Sequence, residues 1–185
     1  MRGTIYYGLC YSVFPSVLEE FSDANWIFYL NKMKSISGYI FTLGGGVVSW
    51  KSTKQICFTR FTMEVEFIAL EKTSFEVEWF RNLLVDIPLW MRLTPSVSMH
   101  CYSQVAIAKV KSKIFNGKNK HIRLRHNIVQ QLLEIRIISL EFVRPELNLV
   151  DPLTKPLNRK LMEETLRGIE LMPITKVKSD GNPTC

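Results

Sequence analysis

β-Branched and aromatic residues surround a polar insert, Ser22-Asp23-Ala24-Asn25, over residues 17–27 and predict a strand there. Residues 31–37 read as a polar turn. A second strand follows at 38–43, then the tight reversal Gly44-Gly45-Gly46, then a third strand at 47–50 whose run extends toward 58. Short loops between three strands predict an antiparallel meander. The triple glycine invites a phosphate-loop reading, but no Gly-Lys-Ser/Thr follows and no helix begins there, so it is assigned to a hairpin turn. From Thr62, a plausible N-cap, to about residue 85 the period becomes helical. Val65, Ile68, Ala69, Phe75, Trp79, Leu83 and Ile87 recur at steps of three, four or their sums, a stripe expected to face a core. Pro88 ends this helix, and Pro95 precedes a fourth strand at 97–101. A short helix at 103–110, a break at Asn116-Gly117, a helix at 120–135, a fifth strand at 137–143 and a last helix at 149–170, interrupted by Pro152 and Pro156, complete the pattern. The order is β-β-β-α-β-α-α-β-α. The long helix supplies the crossover that parallel pairing requires, which predicts an α/β fold with a mixed five-stranded sheet and helices on both faces. Trp26, Trp50 and Trp79 are assigned to the core.

Composition changes this picture little: 46% hydrophobic and 22% charged residues in a 185-residue chain fit one globular domain. No apolar run reaches the roughly 18 residues of a membrane span, and no secretory signal is evident, so the cytoplasm is the default location and no membrane partner is expected. Cys10, Cys57, Cys101 and Cys185 lie far apart without a CxxC pair, and read as reduced thiols. Charge is more informative. The net charge is +7, and residues 87–133 contain no Asp or Glu but hold Arg92, Lys109, Lys111, Lys113, Lys118, Lys120, Arg123 and Arg125. One neighbourhood thus carries the cationic excess. A polyanion such as nucleic acid is the first partner to consider; a solvated basic face is the alternative.

Acidic residues in unusual surroundings carry the candidate chemistry. Asp23 interrupts an otherwise apolar strand, where a lone buried carboxylate costs several kcal/mol unless it is paired or binds a cation. Glu64 and Glu66, about 200° apart on a helix, cannot both face one site. Asp151 begins the last helix, just before Pro152. Converging carboxylates of this kind hold Mg²⁺ for phosphoryl transfer; helix-dipole roles for Glu64, Glu66 and Asp151 are the competing explanation.

The segments FSDANW (21–26), SISGYIFTLGGGVVSWKS (35–52), TMEVEFIAL (62–70), HCYSQVAI (100–107), KHIRLRHNIV (120–129), ISLEFV (138–143) and DPLTKPLNR (151–159) decide between them. Together, in order and at compatible spacing, they resemble the ribonuclease H domain at the end of copia-type retrotransposon polyproteins of plants. The resemblance implies a ribonuclease H-like domain over 15–171, with a partial N-terminal extension at 1–14 and a flexible tail at 172–185. It also implies an activity: cleavage of the RNA strand of an RNA–DNA hybrid by two divalent ions, Mg²⁺ or Mn²⁺, held on four carboxylates, beside an upstream reverse transcriptase domain. Matched by motif, Asp23, Glu66 and Asp151 are the catalytic and metal-binding acids, and Glu64 points away. The fourth acid belongs in a segment that the family usually reads Cys-Asp-(Ser/Asn)-Gln-Ser-Ala-Ile. Here it reads Cys101-Tyr102-Ser103-Gln104-Val105-Ala106-Ile107, with Tyr102 in the aspartate's place.

A phenol with a pKa of about 10 is neutral at pH 7 and a poor ligand for a hard cation. Losing a carboxylate from the metal shell should cost more than the roughly 10–100-fold of losing a supporting partner. Weakened metal binding and little or no cleavage are therefore expected. Hybrid binding can survive, through Ser103, Gln104, Lys109, Lys111, Lys113, Lys118, Lys120, Arg123 and Arg125; His121 and His126 are weaker candidates. The alternatives are a working Mg²⁺-dependent nuclease in which another group replaces the lost ligand, and a pseudogene product, a fragment of a decayed element translated alone.

Overall fold

The structure, a computed structural model, describes residues 6–9, 17–27, 34–55, 62–87, 96–112, 120–156 and 158–174, with nothing to be said of the side chains at 26, 27, 34, 120 and 121. Its central strands are β2 (Leu18–Ile27), β3 (Lys34–Leu43), β4 (Gly46–Lys54), β5 (Val97–Cys101) and β6 (Ile138–Phe142). They form one sheet in the order β4-β3-β2-β5-β6. β2, β3 and β4 make the expected antiparallel meander, whereas β2–β5 and β5–β6 pair in parallel. The glycine run closes the β3–β4 hairpin. Gly44 and Gly45 have φ of 57° and 83°, the left-handed values that a two-residue turn matched to strand twist demands. The first parallel crossover is α1 (Thr62–Val85); the second is carried by α2 (Gln104–Lys111) and α3 (Lys120–Glu134). Ser103 is not within α2 but caps it, its hydroxyl accepting from the Ala106 N–H at 3.2 Å.

Alternation along β2 separates the two faces of the sheet. Ala24 packs with Val65 and Ala69 of α1. Asp23, its neighbour, points the other way, toward α4 (Asp151–Thr154), where Val150 packs on Ile40 and Val47. The main core lies beneath α1, α2 and α3 and centres on Phe41, Phe67, Leu70, Met99 and Val129.

The expected apolar stripe of α1 holds only in its first half. Val65, Ile68 and Ala69 are buried, but Phe75, Trp79, Leu83 and Ile87 are exposed, Trp79 by 57%. The core-facing row is instead Leu70, Ser74 and Val77, continued by the half-buried Phe80 and Leu84. Residues 77 and 79 lie about 200° apart, so the helix carries two apolar rows and only one of them meets the sheet. Trp50, placed in the core from sequence, is likewise 48% exposed, on edge strand β4.

The last helix divides into two. A 3-10 turn at Pro145–Leu147 and α4 are followed by α5 (Arg159–Gly168), which restarts after Pro156 with Asn158 as its N-cap, accepting from the Leu161 N–H at 2.9 Å. Two short strands, β1 (Tyr7–Leu9) and β7 (Leu171–Pro173), pair antiparallel. Strand pairing therefore reaches into the extension drawn at 1–14 and into the first residues of the tail drawn at 172–185.

Candidate functional site: a buried carboxylate cluster

β2 pairs with β5 only from Glu19 to Ser22, opposite Ser98 to Cys101. Beyond that point β5 ends, and β2 continues to Ile27 with no described strand paired to that edge. Asp23 is the first residue past the paired segment and is fully buried. Tyr102 follows the last residue of β5, and Glu66 lies in the second turn of α1, buried behind the same gap. From the opposite face α4 brings Asp151, Thr154 and the adjoining Lys155. The sheet end therefore does unite Asp23, Glu66, Asp151 and Tyr102.

α4 can lie this close because β3 carries Gly38 beneath it. A Cβ there would come within 2.9 Å of Val150 Cγ1, 3.0 Å of Thr154 Cγ2 and 3.1 Å of Leu153 Cβ. Polar contacts fasten the same segment: Asn25 Nδ2 donates to the Thr154 carbonyl at 3.1 Å, and Ser52 Oγ donates to the Leu153 carbonyl at 2.7 Å. On the other face Gln55 Nε2 donates to Ser37 Oγ at 2.6 Å and to the Val65 carbonyl at 2.9 Å, tying α1 to the sheet just before Glu66.

Each acid meets a different partner. Tyr102 donates its hydroxyl proton to Glu66 Oε1, and the Tyr102 hydroxyl oxygen also lies 3.3 Å from the Ala24 carbonyl. Thr154 donates to Asp23 Oδ2. Lys155 Nζ lies 3.4 Å from Asp23 Oδ2 and 3.0 Å from Asp151 Oδ1, and 5.0 Å from the centre of the Tyr102 ring. Burial raises the Glu66 carboxyl to about 8, although the Tyr102 hydroxyl pulls in the opposite direction; Asp23 adds to the rise. Burial, then the neighbouring Glu66, pushes the Tyr102 phenol well above its ordinary range, so this hydroxyl stays a donor at any physiological pH. Burial works against the charge of Lys155, but Asp23 and Asp151 outweigh it and hold the ammonium above its usual value.

The donor set does not fit two divalent ions. Asp23 Oδ1 and Glu66 Oε2 are buried without hydrogen-bond partners, as ligand oxygens would be. Their sister oxygens, however, are engaged by Thr154, Lys155 and Tyr102. Among the described residues no three His, Cys, Asp or Glu side chains are grouped so as to hold a metal ion. A hydroxyl and an ammonium stand where that chemistry needs negative oxygen.

Comparison with known proteins places this geometry. The chain is 29% identical over 163 residues to the retrovirus-related Pol polyprotein from transposon TNT 1-94 of Nicotiana tabacum, covering 88% of this chain and 12% of that protein. It is 31% identical over 142 residues to the corresponding polyprotein from transposon RE1 of Arabidopsis thaliana, covering 77% and 10%. The chain is a relative of plant-transposon Pol polyproteins. It spans about a tenth of the length of these relatives. No family model matches it. Its fold is that of a ribonuclease H. LC11-RNase H1 superposes with a TM-score of 0.56 at 14% identity, over 82% of this chain and 99% of that one. The same enzyme in complex with an RNA/DNA hybrid gives 0.54 at 15% identity, over 74% and 93%.

The basic residues singled out from the transposon-like motifs are only partly available to a ligand. Lys113 and Lys118 fall outside the described residues, as does the side chain of Lys120. Arg123 and Gln104 are exposed, and Lys109 is half-buried. Lys111 Nζ donates to the Leu140 carbonyl at 3.2 Å. Arg125 is 3.1 Å from Glu71 Oε2, an inward-facing acid of α1, so its first role is to neutralise that acid. His126 is buried with Nε2 2.8 Å from the Lys109 carbonyl and joins α3 to α2. Sequence reasoning missed Lys155 and Thr154. The one available signal was spacing: Asp151 and Lys155 stand four apart, the distance at which helical side chains meet.

No helix among the described residues is long and apolar enough to cross a membrane.

Proposed function

We propose that this chain is a retrotransposon ribonuclease H-like domain that binds RNA–DNA hybrid but cleaves it poorly or not at all. In a parent polyprotein it would serve an upstream reverse transcriptase, in the cytoplasm. The observation that carries the reading is the Tyr102 hydroxyl seated on Glu66 at the end of β5. Cleavage by this fold needs metal-held oxygens on both sides of the scissile phosphate. Here one such position holds a neutral phenol that donates a proton inward, and Lys155 covers oxygens of Asp23 and Asp151. Binding makes no such demand. Phosphate contacts come from exposed cations such as Arg123, aided by Lys109 and Gln104, and the hybrid-bound LC11 enzyme supports that use of the fold.

A labelled RNA–DNA hybrid with Mg²⁺ or Mn²⁺ tests the reading. Retention in a gel, weakening steeply with salt, and no cleavage above background are expected. Cleavage at the rate of an intact ribonuclease H, or no retention at low salt, overturns it. Tyr102→Asp should raise cleavage and divalent-ion affinity together.

A further inference from the structure

We propose that the Lys155 ammonium is the built-in cation of the carboxylate cluster, joining Asp23 to Asp151 so that the site holds its shape without a divalent ion. The inference rests on reading the cluster as a ribonuclease H site altered at Tyr102, and it assigns Lys155 as a positioning residue.

Asp23 is fully buried, and a buried carboxylate needs a counter-charge or several donors. Thr154 donates to its Oδ2, and the Lys155 ammonium lies on the same oxygen. The same ammonium reaches Asp151 Oδ1 at 3.0 Å, so a single charge bridges an acid of β2 and an acid of α4. Its position is fixed at both ends. The Lys155 backbone N–H donates to the Asp151 carbonyl at 2.8 Å, which ends α4 at this residue. The ammonium rests against the Tyr102 ring, a contact that attracts cations. Three other cations pair with acids outside the cluster: Arg125 with Glu71, Lys51 with Glu76 and Arg159 with Glu163. Glu66, the third acid, takes a hydroxyl in place of a charge. One ammonium and two hydroxyls thus cover oxygens of all three acids. A divalent ion entering the cluster has to displace a cation that is tethered beside it, and tethering raises the effective concentration of the competitor.

The test uses the full chain, with thermal unfolding followed in EDTA and in millimolar Mg²⁺, and Mn²⁺ binding followed by electron paramagnetic resonance. The wild-type midpoint should be the same in EDTA and in Mg²⁺. Lys155→Gln should unfold about 5 °C or more lower in EDTA, and Mg²⁺ should recover most of that loss. This variant should also bind Mn²⁺ about tenfold more tightly than wild type. Lys155→Arg, which keeps the charge, should retain the wild-type midpoint and its indifference to Mg²⁺. An unchanged midpoint for Lys155→Gln in EDTA overturns the proposal, as does a wild-type midpoint raised by Mg²⁺ as far as the variant's. If Lys155→Gln yields no folded protein, the wild-type titration decides: micromolar Mn²⁺ binding that disappears in Asp23→Asn overturns the proposal, and its absence supports it. None of these readouts involves hybrid, so loss of hybrid retention would sink the proposed function while leaving the role of Lys155 standing.

Discussion

Glu66→Gln should remove a large part of the pH dependence of folding stability. The Glu66 carboxyl titrates at about 8 in the folded protein against 4.5 for the free side chain, because burial disfavours its charged form. Below pH 4.5 both folded and unfolded states hold the proton, and this group contributes no pH dependence. Between 4.5 and 8 the unfolded chain releases the proton while the folded protein keeps it, so stability falls as pH rises. Above 8 both states are ionised, and the loss is complete. At 1.36 kcal/mol per pH unit, a window of about three and a half units amounts to about 5 kcal/mol at most. Glutamine keeps the shape and an acceptor for Tyr102 but cannot ionise. The assay is urea unfolding at pH 5 and pH 8. With a slope of about 2 kcal/mol per molar urea, the wild-type midpoint should fall by up to about 2 M, and that of Glu66→Gln by much less. Some fall should remain in the variant, because burial also holds Glu20, a fully buried acid, well above the carboxylate range, although the Thr73 and Ser22 hydroxyls pull the other way. The reasoning fails if wild type and Glu66→Gln lose equal stability between the two pH values.

Gly38→Ala should destabilise by about 1–3 kcal/mol, because the added methyl meets Val150, Leu153 and Thr154 at 2.9–3.1 Å and must push α4 outward; urea midpoints measure it. The same substitution should weaken the hold of Lys155 on Asp23, which would show as a midpoint newly responsive to Mg²⁺. Arg123→Ala, at an exposed site, should leave stability unchanged, weaken hybrid retention and lower the salt slope by about one. Arg125→Ala should instead lower stability, since it leaves the inward-facing Glu71 without its cation; unfolding and gel retention on both variants separate the two roles.

Strands and helices were legible in the sequence because their signals are local. The glycine pair at 44–45, Pro88 after α1, the β-branched and aromatic residues around β2 and the alternation of β5 and β6 mark their elements without reference to the rest of the chain. Asp23, Glu66, Asp151 and Tyr102 were legible through the motifs around them, and the fold brings all four to one sheet end. What one dimension does not contain is the choice between equivalent faces. α1 offers two apolar rows, and which of them is buried depends on where Phe41 and Phe80 meet across the core. Lys155 has no sequence signal for its role because its partner Asp23 lies 132 residues earlier and on another element. The same holds for Glu71, whose cation Arg125 sits 54 residues away on α3.

These acids also explain why a tyrosine is accepted at the end of β5. On β2 and the second turn of α1 the fold buries three carboxyl groups, Glu20, Asp23 and Glu66, and balances each locally: Asp23 by an ammonium and a hydroxyl, Glu66 and Glu20 by elevation of the carboxyl pKa. A proton-donating side chain at 102 matches the Glu66 arrangement, since its hydroxyl gives a donor to an acid that burial already disfavours as an anion. An aspartate at 102 would add a like charge beside Asp23 and Glu66, with Lys155 the nearby cation the structure supplies. Without a divalent ion such a cluster is over-charged, and two carboxylates sharing a site raise each other's pKa at a cost in stability. The acid that nuclease chemistry requires and the tyrosine that a metal-free fold tolerates therefore pull stability in opposite directions. Where cleavage is not required, the physical chemistry of the buried site favours the tyrosine.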